Sequence, residues 1–220
     1  MQYFNQYPHV VYKTAGSPNT ENYPDMNIGI ALSGGADSAL LLYLFAKMVN
    51  DRNLSSDIIC MHGIDTNQKI AVQPVEQIVE YVRNKFKDVN IILETFSYAI
   101  NPKNLNKNDY HESYYDDYKK RYNIPKIVRA VTQGMPNSGR PIVDHDISPE
   151  KLIQYSKDDI TVPFGAIDKK QIKLQYRYHG IVDLANMTVS CIADQTQPCR
   201  ECWWCKERFW AFGNYDGGIQ

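Results

Sequence analysis

The stretch Asn27-Ile28-Gly29-Ile30-Ala31-Leu32-Ser33-Gly34-Gly35-Ala36-Asp37-Ser38 decides the fold. Its first half is a short apolar run and reads as a buried strand. The run stops abruptly at Ser33-Gly34-Gly35. From Asp37 to about Met48 the chain is apolar almost all round, as a buried helix is. Outward from this unit the alternation repeats. Residues 57–63 form a second predicted strand. Pro74 opens a helix with Val75, Ile78, Val79, Val82 and Phe86 on one face. Residues 90–96 form a third strand. Strand–helix–strand at this spacing predicts an α/β fold, a parallel sheet flanked by helices and joined by right-handed crossovers.

The rest of the chain is read more coarsely. Residues 1–25, with Pro8, Gly16, Pro18 and Pro24, read as an extended lead-in. Residues 98–123 are polar and tyrosine-rich. The Asp116/Lys120 and Asp117/Arg121 spacings there suggest a solvated helix. Ile124 to Thr132 is a candidate fourth strand, and Ser148-Pro149 a helix start. Ile160 to Phe164 is extended. Asp168 can cap a helix running to His179, with Gly180 closing it.

The glycine loop carries chemistry. Glycines let backbone N–H groups turn towards an anion, and the following helix adds its positive dipole end. Ser33 and Ser38 hydroxyls can donate to phosphate oxygens. Asp37 can either cap the helix or hold Mg²⁺. A bland Gly-Gly turn before an Asp-capped helix has the same local shape. Five specified positions, however, recur by chance about once in several thousand chains of this length. The loop also falls at the carboxyl end of a strand, where open α/β sheets bind ligands. It is neither a Walker loop nor a dinucleotide fingerprint.

Composition bounds the rest. The chain has 220 residues, 43% hydrophobic and 12% aromatic, enough for a buried core. No apolar run approaches a membrane span, and the start at Met1-Gln2-Tyr3 does not read as a signal peptide. Twenty-four Lys and Arg against twenty-five Asp and Glu give a net charge of −1. That argues against wholesale nucleic-acid binding. The expected setting is cytoplasmic, where clustered cysteines are metal ligands more often than disulfides. Cys191, Cys199, Cys202 and Cys205 supply four thiolates in fifteen residues. Four sulfurs suit a structural tetrahedral Zn²⁺; an iron–sulfur cluster and disulfides stay open beside it. Arg200, Lys206 and Arg208 stand ready to offset thiolate charge. Cys60, in an apolar strand, reads as a buried residue.

Ser-Gly-Gly-x-Asp-Ser after a first strand resembles the PP-loop ATP pyrophosphatase superfamily. That resemblance implies an adenine-nucleotide alpha-hydrolase-like (Rossmann-like) fold. It also implies ATP and Mg²⁺ as cofactors and adenylation of a substrate oxygen. Combined with a C-terminal four-cysteine zinc knuckle, the layout is closest to the 7-cyano-7-deazaguanine synthase (QueC) family. Further matches are Thr188-Val189-Ser190-Cys191, Arg208 three residues after the last cysteine, Thr161-Val162-Pro163-Phe164, Asp168-Lys169-Lys170-Gln171-Ile172, and Asp65-Thr66-Asn67-Gln68. Arg200 and Val189 depart from the family pattern, and residues 98–147 match nothing in it.

The resemblance implies a ligase that takes 7-carboxy-7-deazaguanine, ammonia and ATP to the nitrile, a queuosine precursor. It divides the chain into the lead-in, a PP-loop domain over 26–185 and a zinc-binding segment over 186–220. Leu32, Ser33, Gly34, Gly35, Ala36, Asp37, Ser38, His62 and Asp65 would bind the nucleotide. Asp37, Ser38, Lys169 and Arg208 would act in catalysis. Lys169 is equally readable as a solvated first-turn lysine, and Arg208 as a charge beside the thiolates. His62 and His111 are candidate general bases or ordinary polar residues. Trp203, Trp204, Phe209 and Trp210 can stack a purine or pack the knuckle. A homodimer follows from the resemblance alone. Two rivals remain: a PP-loop enzyme acting on another acceptor such as a tRNA base, and a retired nucleotide- or nucleic-acid-binding zinc protein.

Overall fold

A computed structural model describes residues 26–66, 73–98, 107–135, 160–165, 167–191 and 197–216. The sheet strands are β1 (Ile28–Ala31), β2 (Ile58–Asp65), β3 (Ile91–Tyr98), β4 (Ile127–Arg129) and β5 (Ile160–Thr161). The helices are α1 (Ala36–Asp51), α2 (Gln73–Lys85), α3 (Lys107–Arg121), α4 (Lys169–Tyr178), α5 (Val182–Asn186) and α6 (Trp203–Phe212). All pairings are parallel, in the order β3-β2-β1-β4-β5. The order changes direction at β1, so the chain leaving β1 opens into the crevice where such sheets bind ligands.

Alternation along the strands divides the core. Ile28, Ile30, Ile58, Cys60 and Ile91 pack on one face with α1, α2, α4, α5 and α6. Ile59, Met61, Phe96 and Ile127 face the other way, against Tyr115 and Tyr118 of α3 and Ile124. Helix α1 is buried along most of its length, as its all-round apolar sequence predicts. Helix α4 carries a capping box: Asp168 accepts from the Gln171 N–H, and the Gln171 side chain accepts from the Asp168 N–H. It closes at Gly180, φ +64°, with Gly180 donating to Arg177 O and Ile181 to Tyr176 O. That is the Schellman arrangement expected of a glycine there.

The polar segment before β4 departs from expectation. Asp116 pairs with Lys119, and Arg121 reaches Glu94 on β3, rather than forming the i,i+4 pairs. Helix α3 is also not simply solvated. It buries Tyr115 and Tyr118 against Phe96, because tyrosine rings cover apolar surface while their hydroxyls find partners. The fourth strand is three residues long, shorter than the 124–132 run. The expected helix start at Ser148-Pro149 and the lead-in over 1–25 lie outside the described residues. Among the described residues no helix is long and apolar enough to cross a membrane.

Candidate active site and four-cysteine centre

The loop is held by its own serines. Ser33 Oγ and Ser38 Oγ are 3.0 Å apart, and the Ser33 N–H donates to Ser38 Oγ at 3.2 Å. Ser38 Oγ donates to Gly35 O at 3.1 Å, and the Gly35 N–H donates to Ser33 Oγ at 3.3 Å. Gly34 sits at φ +84°, and a Cβ there would lie 3.1 Å from Val75 Cγ2. Glycine therefore answers both the backbone conformation and the packing at this point. The N-cap of α1 is Gly35, with no side-chain cap. This corrects the capping alternative for Asp37. Its carboxylate turns aside instead, leaving the first N–H groups of α1 open to an anion.

Asp37 Oδ2 meets Lys169 Nζ at 3.1 Å, and the same ammonium meets Glu207 Oε2 at 2.8 Å. Lys169 is thus a buried ion-pair partner, not a solvated first-turn lysine. Burial pulls its pKa down, but Asp37 and Glu207 outweigh burial and hold it above its usual value. Asp37 Oδ1 is buried and has no hydrogen-bond partner. A hard cation suits such an oxygen, so the residues present fit Mg²⁺. Sequence reasoning misses Glu207. Its one signal is an acid placed between two cations in an otherwise aromatic helix, Trp203-Trp204-Cys205-Lys206-Glu207-Arg208-Phe209-Trp210.

His62 and Asp65 stand on β2 beyond its pairing with β1, and both are buried. The His62 ring donates from Nδ1 to Leu32 O at 2.8 Å, which leaves Nε2 as an acceptor with no hydrogen-bond partner. Burial holds its pKa below the usual histidine value. Leu32 itself is buried, its N–H bonded to Met61 O. Ala36 is buried too, and its carbonyl accepts from Tyr176 Oη at 2.6 Å. The side chain of His111 lies outside the described residues.

Arg208 is placed by its hydrogen bonds between α6 and the α5 region. Its guanidinium is fully buried, donating to Thr188 Oγ1 at 2.7 Å and Ala185 O at 2.9 Å, with Cζ 4.2 Å from the Phe212 ring centroid. It ties α6 to the turn after α5. Its charge is felt by Asp216, Tyr176 and Asp37 of the loop, and its Nε is buried without a hydrogen-bond partner. Of the aromatic residues, Trp210 packs on the core under Lys170 Nζ, 4.5 Å from its ring. Trp204 and Phe209 remain exposed, Phe209 stacking on Tyr215.

The four cysteine sulfurs lie within 4.8 Å of one another. A tetrahedron with Zn–S near 2.3 Å has sulfur–sulfur edges of about 3.8 Å. Cys199 and Cys205 sulfurs are already 3.9 Å apart. The donor set thus fits one soft metal ion. Charge compensation comes from the backbone: Cys199 N–H donates to Cys191 Sγ, Cys202 N–H to Cys199 Sγ and Cys205 N–H to Cys202 Sγ. The N–H groups of Cys202 and Glu201 bring the Cys199 thiol down to about 6. Arg200 takes φ +66° in this turn and lies over Tyr215. Cys60 is buried as expected, its thiol pushed up to about 12 by burial.

Residues 9–114 match the family described as the PP-loop domain. The matched stretch takes in β1, β2 and β3 of the parallel sheet and the glycine loop at its switch point. No curated protein matches the chain in sequence. Among solved structures, the U34-tRNA thiolase NcsA from Methanococcus maripaludis, solved with its [4Fe-4S] cluster, aligns with TM-score 0.59 and 11% identity. The alignment covers 93% of this chain and 70% of that one. At that identity the likeness is one of fold. NAD+ synthetase from Burkholderia pseudomallei aligns at TM-score 0.40 and 11% identity, over 86% of this chain and 75% of that one.

Proposed function

We propose that the chain is an ATP-dependent carbon–nitrogen ligase of the 7-cyano-7-deazaguanine synthase type. One observation carries this reading. Lys169 links Asp37 of the phosphate loop to Glu207 of the cysteine-bearing helix, so the two motifs behind the resemblance serve one site. We place the ATP-binding domain at 26–185 and a zinc-binding segment at 186–220, with structural zinc as the ion.

The N–H groups of Gly34 to Ser38 and the Ser33 and Ser38 hydroxyls cradle the phosphates. His62 and Asp65, at the carboxyl end of β2 beside the loop, would meet the nucleotide. Asp37 would hold Mg²⁺ through its open Oδ1, and the ion would supply neutralisation of phosphate charge. A substrate carboxylate oxygen attacks the α-phosphorus and pyrophosphate leaves. Ammonia then adds to the acyl carbon, AMP leaves and a proton is lost, giving the amide. A second ATP activates the amide oxygen in the same way. Loss of AMP and of both amide N–H protons gives the nitrile. The protein's share is positioning and charge stabilisation, with Lys169 nearest the developing negative charge.

The test incubates the chain with 7-carboxy-7-deazaguanine, ammonium, ATP and Mg²⁺ and reads products by mass spectrometry, with Asp37→Ala alongside. A nitrile that the variant does not form is the expected result. ATP binding without amide or nitrile would remove this acceptor and leave an ATP-binding PP-loop domain acting elsewhere.

A further inference from the structure

We propose that Glu207 is a positioning residue through which the four-cysteine centre sets the affinity of the loop for ATP. This rests on the reading of the loop as an ATP site. Glu207 lies on α6 two residues past Cys205, and α6 begins at Cys202 as its N-cap. Closing four sulfurs on one ion therefore fixes the start, axis and rotation of the helix that carries Glu207. The carboxylate is buried and meets Lys169 Nζ at 2.8 Å, and Lys169 meets Asp37 at 3.1 Å. A rotation of α6 withdraws the carboxylate, and Lys169 is then no longer held from both sides. A second tie runs through the backbone. The Val189 N–H, two residues before Cys191, donates to Gly34 O at 3.1 Å. Asp216 holds the Ser190 and Cys191 N–H groups at 2.8 and 3.2 Å, so this segment is fixed to the cysteine centre as well.

Charge and position make opposite predictions for Glu207→Gln. Were Glu207 only a negative charge near a phosphate site, its removal would tighten ATP binding. As a positioning group its removal loosens Lys169 and weakens ATP binding.

The experiment measures the affinity of a non-hydrolysable ATP analogue with Mg²⁺ by calorimetry. The chain is compared zinc-loaded and zinc-stripped, as wild type, Glu207→Gln and Glu207→Asp, with zinc stoichiometry and far-UV circular dichroism checked for each. Coupling between sites is commonly worth about five- to 150-fold in affinity. We expect zinc to tighten wild-type binding about tenfold. Glu207→Gln should still bind one zinc but bind the analogue about tenfold more weakly than loaded wild type, with the zinc effect reduced below about threefold. Glu207→Asp should fall between. If stripping unfolds the chain, the three loaded proteins alone decide, by the order wild type, Asp, Gln. Unchanged or tighter binding by loaded Glu207→Gln, or an undiminished zinc effect in it, overturns the proposal. Wild type that binds no analogue in either state removes the ATP reading itself, and this one with it.

Discussion

Replacing Lys169 with methionine tests the buried charge arrangement most directly. The side chains of Lys169 and Glu207 keep only 7% and 3% exposure, and that of Asp37 17%. Methionine fills nearly the space of the lysine stem, so the apolar contribution changes little. What changes is that two carboxylates lose their shared cation. Removing one partner of a buried pair costs about 3–5 kcal/mol. Against a total of roughly 5–15 kcal/mol for a typical domain, that is a large fraction. The Lys47–Asp51 pair supplies the control: 39% and 50% exposed, it is worth under about 1 kcal/mol. Urea titrations followed by circular dichroism, on zinc-loaded Lys169→Met and Lys47→Met, should therefore differ by at least about 2 kcal/mol. Adding Glu207→Leu to Lys169→Met should restore part of the loss, because it removes one of the stranded charges. Equal losses in the two single variants, or no recovery in the double, would refute the argument.

Other tests address separate parts of the molecule. Gly34→Ala should lower stability by about 1 kcal/mol and weaken ATP binding, since φ is +84° and the methyl would press on Val75; calorimetry showing unchanged ATP affinity would contradict the loop geometry. Burial holds His62 below its usual pKa, and burial, then Lys47, does the same for His179. The unfolded chain therefore takes up these protons first. Stability should fall as pH drops below about 6.5, by up to about 1.4 kcal/mol per unit per histidine, and His62→Asn should flatten that slope. Metal analysis should give one zinc per chain, lost in Cys199→Ser; a brown chain holding iron and sulfide would show that the sulfurs spread to accept a cluster.

The parts legible in the sequence are those that local chemistry determines. The 27–38 stretch contains a strand, a turn only glycine serves well, and a buried helix start, all in one short run. The α4 capping box needs only Asp168 and Gln171 three apart. The cysteine cluster is nearly contiguous, so spacing alone reveals four sulfurs that could hold one metal ion. Helix α3 misleads because its charges repeat at helical spacing. Its burial depends on where Phe96 lies across the sheet, which no local pattern encodes. The partners of Arg208 are hidden for the same reason. An arginine beside thiolates invites an electrostatic role, but its hydrogen bonds go to residues 185 and 188, which only the fold brings close.

The same distinction explains why the Asp37–Lys169–Glu207 array is invisible in the sequence although each member lies in a readable motif. The array joins residues 132 and 38 positions apart, and its net charge of −1 vanishes in a chain balanced at twenty-four cations and twenty-five anions. Burial gives that charge its meaning. In solvent the three groups would be screened; inside, a residual negative charge needs a cation near it, and the buried Arg208 guanidinium acts on Asp37 in that sense while leaving Oδ1 open. The open Oδ1 of Asp37 faces that requirement from one side, and the free N–H groups of α1 invite an anion from the other. A site that asks for a cation and an anion side by side is better satisfied by a metal-bound phosphate than by either alone. The argument for nucleotide chemistry therefore rests on the open Oδ1 of Asp37 beside the free N–H groups of α1, which the glycines alone do not supply.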